Sequence, residues 1–136
     1  MRRMRWPGTI LLTLMFGLNV VRATDFVIHL PDAPAVSRQS VTYQCDASGP
    51  KIGVPSKPFP VEYINGGGNS LAIVPILGNS LIFSNVSSAS GAQYTAQQYI
   101  WWEAKGTATL YSNSINGKRQ SSCHVVPVSK QVRRKS

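Results

Sequence analysis

Leu71-Ala-Ile-Val-Pro-Ile-Leu77 and Leu81-Ile-Phe83 stand on either side of Gly78-Asn79-Ser80. Two short apolar runs around a Gly/Asn/Ser triplet have the composition of a tight hairpin, so this stretch predicts two antiparallel strands. The same alternation of short β-type runs and turn signals continues in both directions. Upstream, Ser40–Asp46 alternates and is broken by Ala47-Ser-Gly-Pro-Lys51. Gly53 to Pro60 holds three prolines, which suits a loop or at most an edge strand. Pro60-Val-Glu-Tyr-Ile64 reads as a strand ended by Asn65-Gly-Gly-Gly-Asn69. Downstream, Tyr94–Trp102 and Thr107–Ser112 flank Glu103-Ala-Lys-Gly106, and Asn116-Gly117 turns the chain into Arg119–Val126. No stretch keeps a helical period over three turns. About seven short strands at roughly 8–12-residue spacing describe an all-β sandwich or barrel. Closure into a small antiparallel barrel leaves no bare sheet edge, but the pattern alone leaves both architectures open.

A chain of 136 residues supports a single domain. Its 14 Lys+Arg against 5 Asp+Glu give a formal charge of +9, which invites an acidic partner such as nucleic acid, anionic lipid or an acidic protein. The charges, however, sit at the two ends. Met1 to Gly8 carries Arg2, Arg3 and Arg5, Thr9 to Val21 is apolar, and Val21-Arg22-Ala23 closes the segment. A charged start, a short apolar middle and a small-residue exit make a secretory signal peptide, with cleavage expected after Ala23. The apolar run would rise only about 20 Å as a helix, short of the roughly 30 Å of a bilayer core. No Cys follows it, so a lipoprotein anchor is not expected.

Without residues 1–23 the chain loses four arginines and no acid. The end of the chain holds Lys130, Arg133, Arg134 and Lys135, which leaves six basic against five acidic groups between. The expected division is a signal peptide (1–23), an extended lead-in (24–39), a β domain (40–127) and a basic tail (128–136). A near-neutral domain is a poor match for nucleic acid. The tail alone suits a weak contact with anionic envelope components.

Export places Cys45 and Cys123 in an oxidising compartment, where an even number of cysteines normally means a bridge. Both lie in strand-like runs, so the bridge would tie the first strand of the domain to the last. There is no C-x-x-C spacing, and His124 is the only nearby histidine, so neither a redox pair nor a metal site is expected.

Enzyme chemistry finds little support. Beyond the signal segment the chain has His29, His124 and five scattered acids. No G-x-S-x-G, H-E-x-x-H, Walker-type or G-x-G-x-x-G motif occurs. Gly66-Gly-Gly68 lacks the following helix and Lys-Ser/Thr of a phosphate cradle. Asp46 and Glu62 could pair as acid and base, but as isolated carboxylates they read as ordinary surface groups. Neither catalysis nor a cofactor nor a metal is expected.

Two neighbouring patches carry more information. In Ser87-Ser-Ala-Ser-Gly-Ala-Gln-Tyr94, the Ser90-Gly91 step is a turn able to bring backbone amides and a small hydroxyl close to a partner, with Tyr94 as an anchor at its base. In Tyr99-Ile-Trp-Trp-Glu-Ala-Lys-Gly-Thr-Ala-Thr-Leu110, strand alternation sends Trp101 and Trp102 to opposite sides of the sheet.

Together with Tyr43-Gln-Cys45, Lys105-Gly106, Ala108-Thr-Leu110 and Cys123, these patches resemble the bacterial proteinaceous inhibitors of c-type lysozyme. The resemblance runs from about Val41 to Val125 and implies a small antiparallel β-barrel of about eight strands with one disulfide. It also implies a c-type lysozyme as partner, with Ser90 and Lys105 engaging the two catalytic carboxyls of its cleft. Gly91 would permit the close approach, Tyr94 would support the loop, and Gly106 and Thr107 would complete the contact. Without a lipoprotein Cys, the resemblance implies the soluble periplasmic type. The family pattern W-x-K-G-x-x-A-x-L is altered here: Glu103 and Ala104 separate Trp102 from Lys105, and only Thr107 separates Gly106 from Ala108. Along a strand, that one-residue delay would turn Lys105 to the other face. Glu103 is an added acid at this edge, available to a basic residue of the enzyme. The alternative is an envelope-binding barrel that inhibits nothing and works through the basic tail.

Overall fold

A computed structural model describes residues 25–31 and 35–127. The expected signal peptide at 1–23 and basic tail at 128–136 lie outside the described residues. Eight strands form one closed antiparallel barrel in which each strand pairs with its neighbour in sequence and β8 returns to β1. The strands are β1 (Ser37–Cys45), β2 (Phe59–Gly66), β3 (Asn69–Ile76), β4 (Asn79–Val86), β5 (Ala92–Ala96), β6 (Tyr99–Ala104), β7 (Thr107–Ser114) and β8 (Gly117–Val125). The barrel resolves the choice that the sequence pattern left open.

Five of the seven connections are two-residue turns, and several place both residues at positive φ. These are Gly67-Gly68, Leu77-Gly78 and Lys105-Gly106, the backbone of the turns that match strand twist in a hairpin. Three details differ from the sequence expectation. The β3–β4 turn is Leu77-Gly78, with Asn79 and Ser80 already in β4, because the Leu77 amide donates to the Gly53 carbonyl at 2.8 Å and holds leucine at φ 50°. The run Tyr94–Trp102 is two strands, β5 and β6, reversed at Gln97-Gln98 with Gln97 at φ 53°. The last hairpin turns at Ile115-Asn116, so Gly117 opens β8.

The two long connections lie at opposite ends of the barrel. Between β1 and β2, Gly49–Ile52 forms a short helix, α1, where a plain break was expected. Its Ile52 is buried together with Val54, and Gly49 packs so closely on Cys45 that a Cβ would sit 2.8 Å from the cysteine's own. This connection closes one end. Asp46 at its start accepts hydrogen bonds from the Ser121 hydroxyl at 2.7 Å and the Ser122 amide at 3.0 Å. Those bonds, the Ser122 amide foremost, hold its carboxyl below the usual range.

Inward-facing residues of every strand fill the barrel: Val61, Ala72, Val74, Phe83, Trp101, Ala108, Leu110 and Cys123 are fully buried. The β1–β8 joint has only three register pairs, Tyr43 to Cys45 against Val125 to Cys123. The disulfide Cys45–Cys123 crosses this joint with Cα atoms 3.9 Å apart, the bridge expected of two strand-borne cysteines in an exported chain. It pins the barrel at one of its two three-pair ladders, the other being β4–β5.

Candidate functional site

The open end of the barrel carries the β4–β5 connection (residues 87–91), the β6–β7 turn and the β2–β3 turn. The first of these is the one long connection at that end, so it projects where the others are cut short. Its path is fixed by three contacts. The Ser90 carbonyl accepts from Trp102 Nε1 at 2.9 Å and from Ser88 Oγ at 2.6 Å. Gly91, at φ +66°, rests on the Glu103 carbonyl so tightly that no Cβ could be placed there. Only glycine satisfies both the left-handed backbone and that approach. With its carbonyl doubly held, Ser90 is solvent-exposed, and its hydroxyl has no hydrogen-bond partner among the described residues.

The β5–β6 register brings Ala92 opposite Glu103, and one further step sets Gly91 beside Ala104, whose Cβ is 3.2 Å from where a Gly91 Cβ would be. Ser90 lies beyond that register, its carbonyl on Trp102, and lines a separate recess with Ser88, Gln93 and Trp102. Lys105 follows Ala104 at the end of β6. The lysine is exposed and occupies the first position of the two-residue turn, at φ 53°, beyond the last β6–β7 pair Ala104–Thr107. Strand alternation therefore does not govern where it faces, and the one-residue delay read from the sequence loses its force. Gly106 takes φ 75°, and the Thr107 hydroxyl donates to the Ala104 carbonyl at 2.9 Å, bracing the turn.

Behind the loop and the turn lies a recess of about 430 Å³ lined by Tyr43, Tyr63, Tyr94, Glu103, Lys105 and Thr107, among others. Its floor is a polar network that the sequence did not announce. Tyr43 donates to the Glu103 carboxylate at 2.6 Å, and Tyr63 donates to the same oxygen. Trp101 Nε1 donates to the Tyr63 hydroxyl at 2.9 Å, while the Trp101 ring meets Tyr43 edge-on with centroids 5.0 Å apart. Burial, and then the hydrogen bond to Glu103, pushes both the Tyr43 and Tyr63 phenols far above their ordinary range. Tyr94 is buried and tilted against Tyr63 at 5.8 Å, and burial followed by the Glu103 charge raises it too.

Gly91, Lys105, Gly106 and Thr107 line one recess with the buried Tyr94, whereas Ser90 lines a separate one beside Trp102. Trp101 is buried and Trp102 half-exposed, the opposite facing that their adjacency required. Glu103 is the residue whose part was underread. Its carbonyl seats Gly91 while its carboxylate ties β6 to β1 and β2 across the mouth. The clue was present in Tyr43, which alternation turned inward toward the same end. Asp46 and Glu62 are not brought together. Glu62 is paired with Arg38 at 2.6 Å on the outside of the barrel, and Asp46 lies at the closed end. No group of three or more metal-ligating side chains gathers among the described residues.

The family described as membrane-bound lysozyme-inhibitor of c-type lysozyme (MliC) matches residues 43–118. A Pseudomonas aeruginosa protein named membrane-bound lysozyme inhibitor of C-type lysozyme is 48% identical over 92 residues, 67% of this chain and 66% of that one. A Cupriavidus necator protein of the same name is 32% identical over 83 residues, 61% of this chain and 56% of that one. The match spans less than two-thirds of either relative's own length. Among solved structures, Pseudomonas aeruginosa MliC in complex with hen egg white lysozyme is similar at a TM-score of 0.61 and 39% identity, over 77% of this chain and 99% of that one. With the barrel, the disulfide and the matched residues in agreement, the chain belongs to the family of membrane-bound lysozyme-inhibitors of c-type lysozyme.

Proposed function

We propose that this chain is a protein inhibitor of a c-type lysozyme, not an enzyme, and that it lodges the Ser90-Gly91 loop in the enzyme's cleft with the Lys105 ammonium alongside. Such an enzyme works with two carboxyls, one protonated and one ionised. A free hydroxyl can hydrogen-bond to one and an ammonium can pair with the other. The observation that carries this reading is the loop itself: Ser90 is held by its carbonyl, its hydroxyl has no partner among the described residues, and Gly91 seats the loop on the strand that ends at the Lys105 turn. A loop already fixed in shape loses little conformational entropy on binding, which favours tight inhibition. Each charge-assisted hydrogen bond in a desolvated cleft contributes about 1.5–3 kcal/mol. Gly91 permits the close approach, Tyr94 supports the loop from beneath, and Gly106 and Thr107 border the contact. Glu103 at the floor of the recess offers an acceptor to a basic side chain beside the cleft.

The solved relative in complex with hen egg white lysozyme supports a protein partner of this class. The family's description supports a place in the cell envelope. The basic and apolar start of the chain adds export with cleavage near Ala23 and a soluble periplasmic product to this reading. Titrating purified protein into hen lysozyme tests the proposal. Activity should fall linearly to an end point at one inhibitor per enzyme, and lysozyme that stays fully active in excess protein would refute it.

A further inference from the structure

The outside of the β2–β3–β4 sheet departs from what a water-facing barrel wall requires. Antiparallel sheets with one solvated face alternate apolar and polar residues. Yet β3 reads Leu71-Ala-Ile-Val-Pro-Ile76, apolar at both inward and outward positions. Ala72, Val74 and Ile76 fill the core, so Leu71, Ile73 and Pro75 face out. The register sets Ile64 beside Leu71 and Ile82 beside Ile73, making one contiguous patch, with Ile82 43% exposed. A groove of about 640 Å³ runs over it, lined by Arg38, Ser40, Pro60, Glu62, Ile73 and Pro75 among others. Contiguous apolar surface of this kind on a soluble protein usually marks a binding face.

The same chain carries an apolar segment that no described residue covers. In Asp25-Phe-Val-Ile-His-Leu-Pro31, Phe26, Val27, Ile28 and Leu30 are 79%, 65%, 60% and 49% exposed. The segment joins the barrel at Ser37, which pairs with Asn65 next to Ile64 at one end of the patch. Among the described residues both surfaces stay uncovered.

We propose that Asp25–Pro31 is an exchange arm that docks on the outer β2–β4 face of a second copy of this chain, each copy giving its arm and receiving the other's. Reciprocal exchange is a closed two-fold arrangement, so it covers both surfaces on both copies and leaves none to propagate. An extended arm of seven residues spans roughly 23 Å, enough to cross the face from Ile64 past Ile82. Charge agrees with this docking. Arg38, at the rim of the groove, keeps 66% of its side chain exposed beyond its pair with Glu62 and can receive Asp25. Neither surface includes the Ser90 loop, so the exchange is independent of the inhibitory reading.

The test is the mass of the oxidised, purified protein in solution, measured by light scattering and by sedimentation over a range of concentrations. A dimer that dissociates on dilution is expected. Two variants remove one partner each: Phe26→Ser with Ile28→Ser in the arm, and Ile73→Lys on the face. Each should weaken association about tenfold or more. The arm lies outside the barrel, so that variant keeps the test sound even if Ile73→Lys disturbs folding. A monomer at every concentration would overturn the proposal. So would a dimer indifferent to the arm variant, which would mean that the faces pair directly or that another surface is used.

Discussion

Gly91 lies against the carbonyl oxygen of Glu103, leaving no room for a Cβ, and holds φ +66°. This contact joins the projecting β4–β5 connection to the strand that leads into Lys105. It fixes the end of that connection against the end of β6, next to the turn that carries Lys105.

Replacing Gly91 should therefore damage the site without unfolding the barrel. Gly91→Ala meets both the steric conflict with Glu103 and the cost of a left-handed alanine, about 1–2 kcal/mol for the backbone alone. The loop must shift. An inhibition constant for c-type lysozyme raised about tenfold or more is expected, with far-ultraviolet circular dichroism unchanged.

Trp102 offers a gentler probe. Trp102→Phe keeps an aromatic ring on the half-exposed face of β6 but loses the Nε1 hydrogen bond to the Ser90 carbonyl. A bond of this kind contributes about 1 kcal/mol, so inhibition should weaken roughly five-fold. The loss should fall mainly on the dissociation rate, readable by surface plasmon resonance.

The buried phenols set an alkaline limit. Tyr43 and Tyr63 have folded-state pKa values raised by burial and by the Glu103 hydrogen bond, against about 10 in the unfolded chain. A raised folded value means that the stabilisation is fully present below pH 10. It is lost as the pH climbs above that, where the unfolded chain releases protons that the folded one retains. Urea midpoints should fall between pH 9.5 and 11.5 (roughly the window set by the unfolded phenol), and less steeply in Tyr63→Phe.

The disulfide holds the three-pair joint that closes the barrel. In the loop-entropy picture a closed loop of this size is worth at most about 4–5 kcal/mol. Reduction, or the double change Cys45→Ala with Cys123→Ala, should lower the thermal midpoint by more than about 10 °C. An unchanged midpoint would show that hydrogen bonding alone secures the β1–β8 joint.

Much of this was legible in the residues themselves. Alternation sent Trp101 and Trp102 to opposite sides of the sheet without saying which is buried, and the two strand-borne cysteines announced their bridge. Turns were read less well where the chain used no glycine. Gln97-Gln98 reverses β5 into β6 with a left-handed glutamine, a choice that tertiary pairing imposes and local preference does not. The β3–β4 turn moved to Leu77-Gly78 because Gly53, far away in sequence, accepts the Leu77 amide. Lys105 was judged by strand alternation, although it stands in a turn where that rule does not hold. Glu103 was out of reach for a related reason: its meaning depends on Tyr43 and Tyr63, which only barrel closure brings to it.

The most direct measurement is the inhibition constant for a c-type lysozyme with Ser90→Ala, Lys105→Ala and the two combined. Both residues are exposed, so the barrel should keep its fold and its thermal midpoint. Each single change removes one charge-assisted hydrogen bond, about 1.5–3 kcal/mol, and should weaken inhibition by roughly ten-fold or more. The double variant should inhibit only weakly. A double variant that inhibits as strongly as the unaltered protein would contradict the loop-in-cleft mechanism.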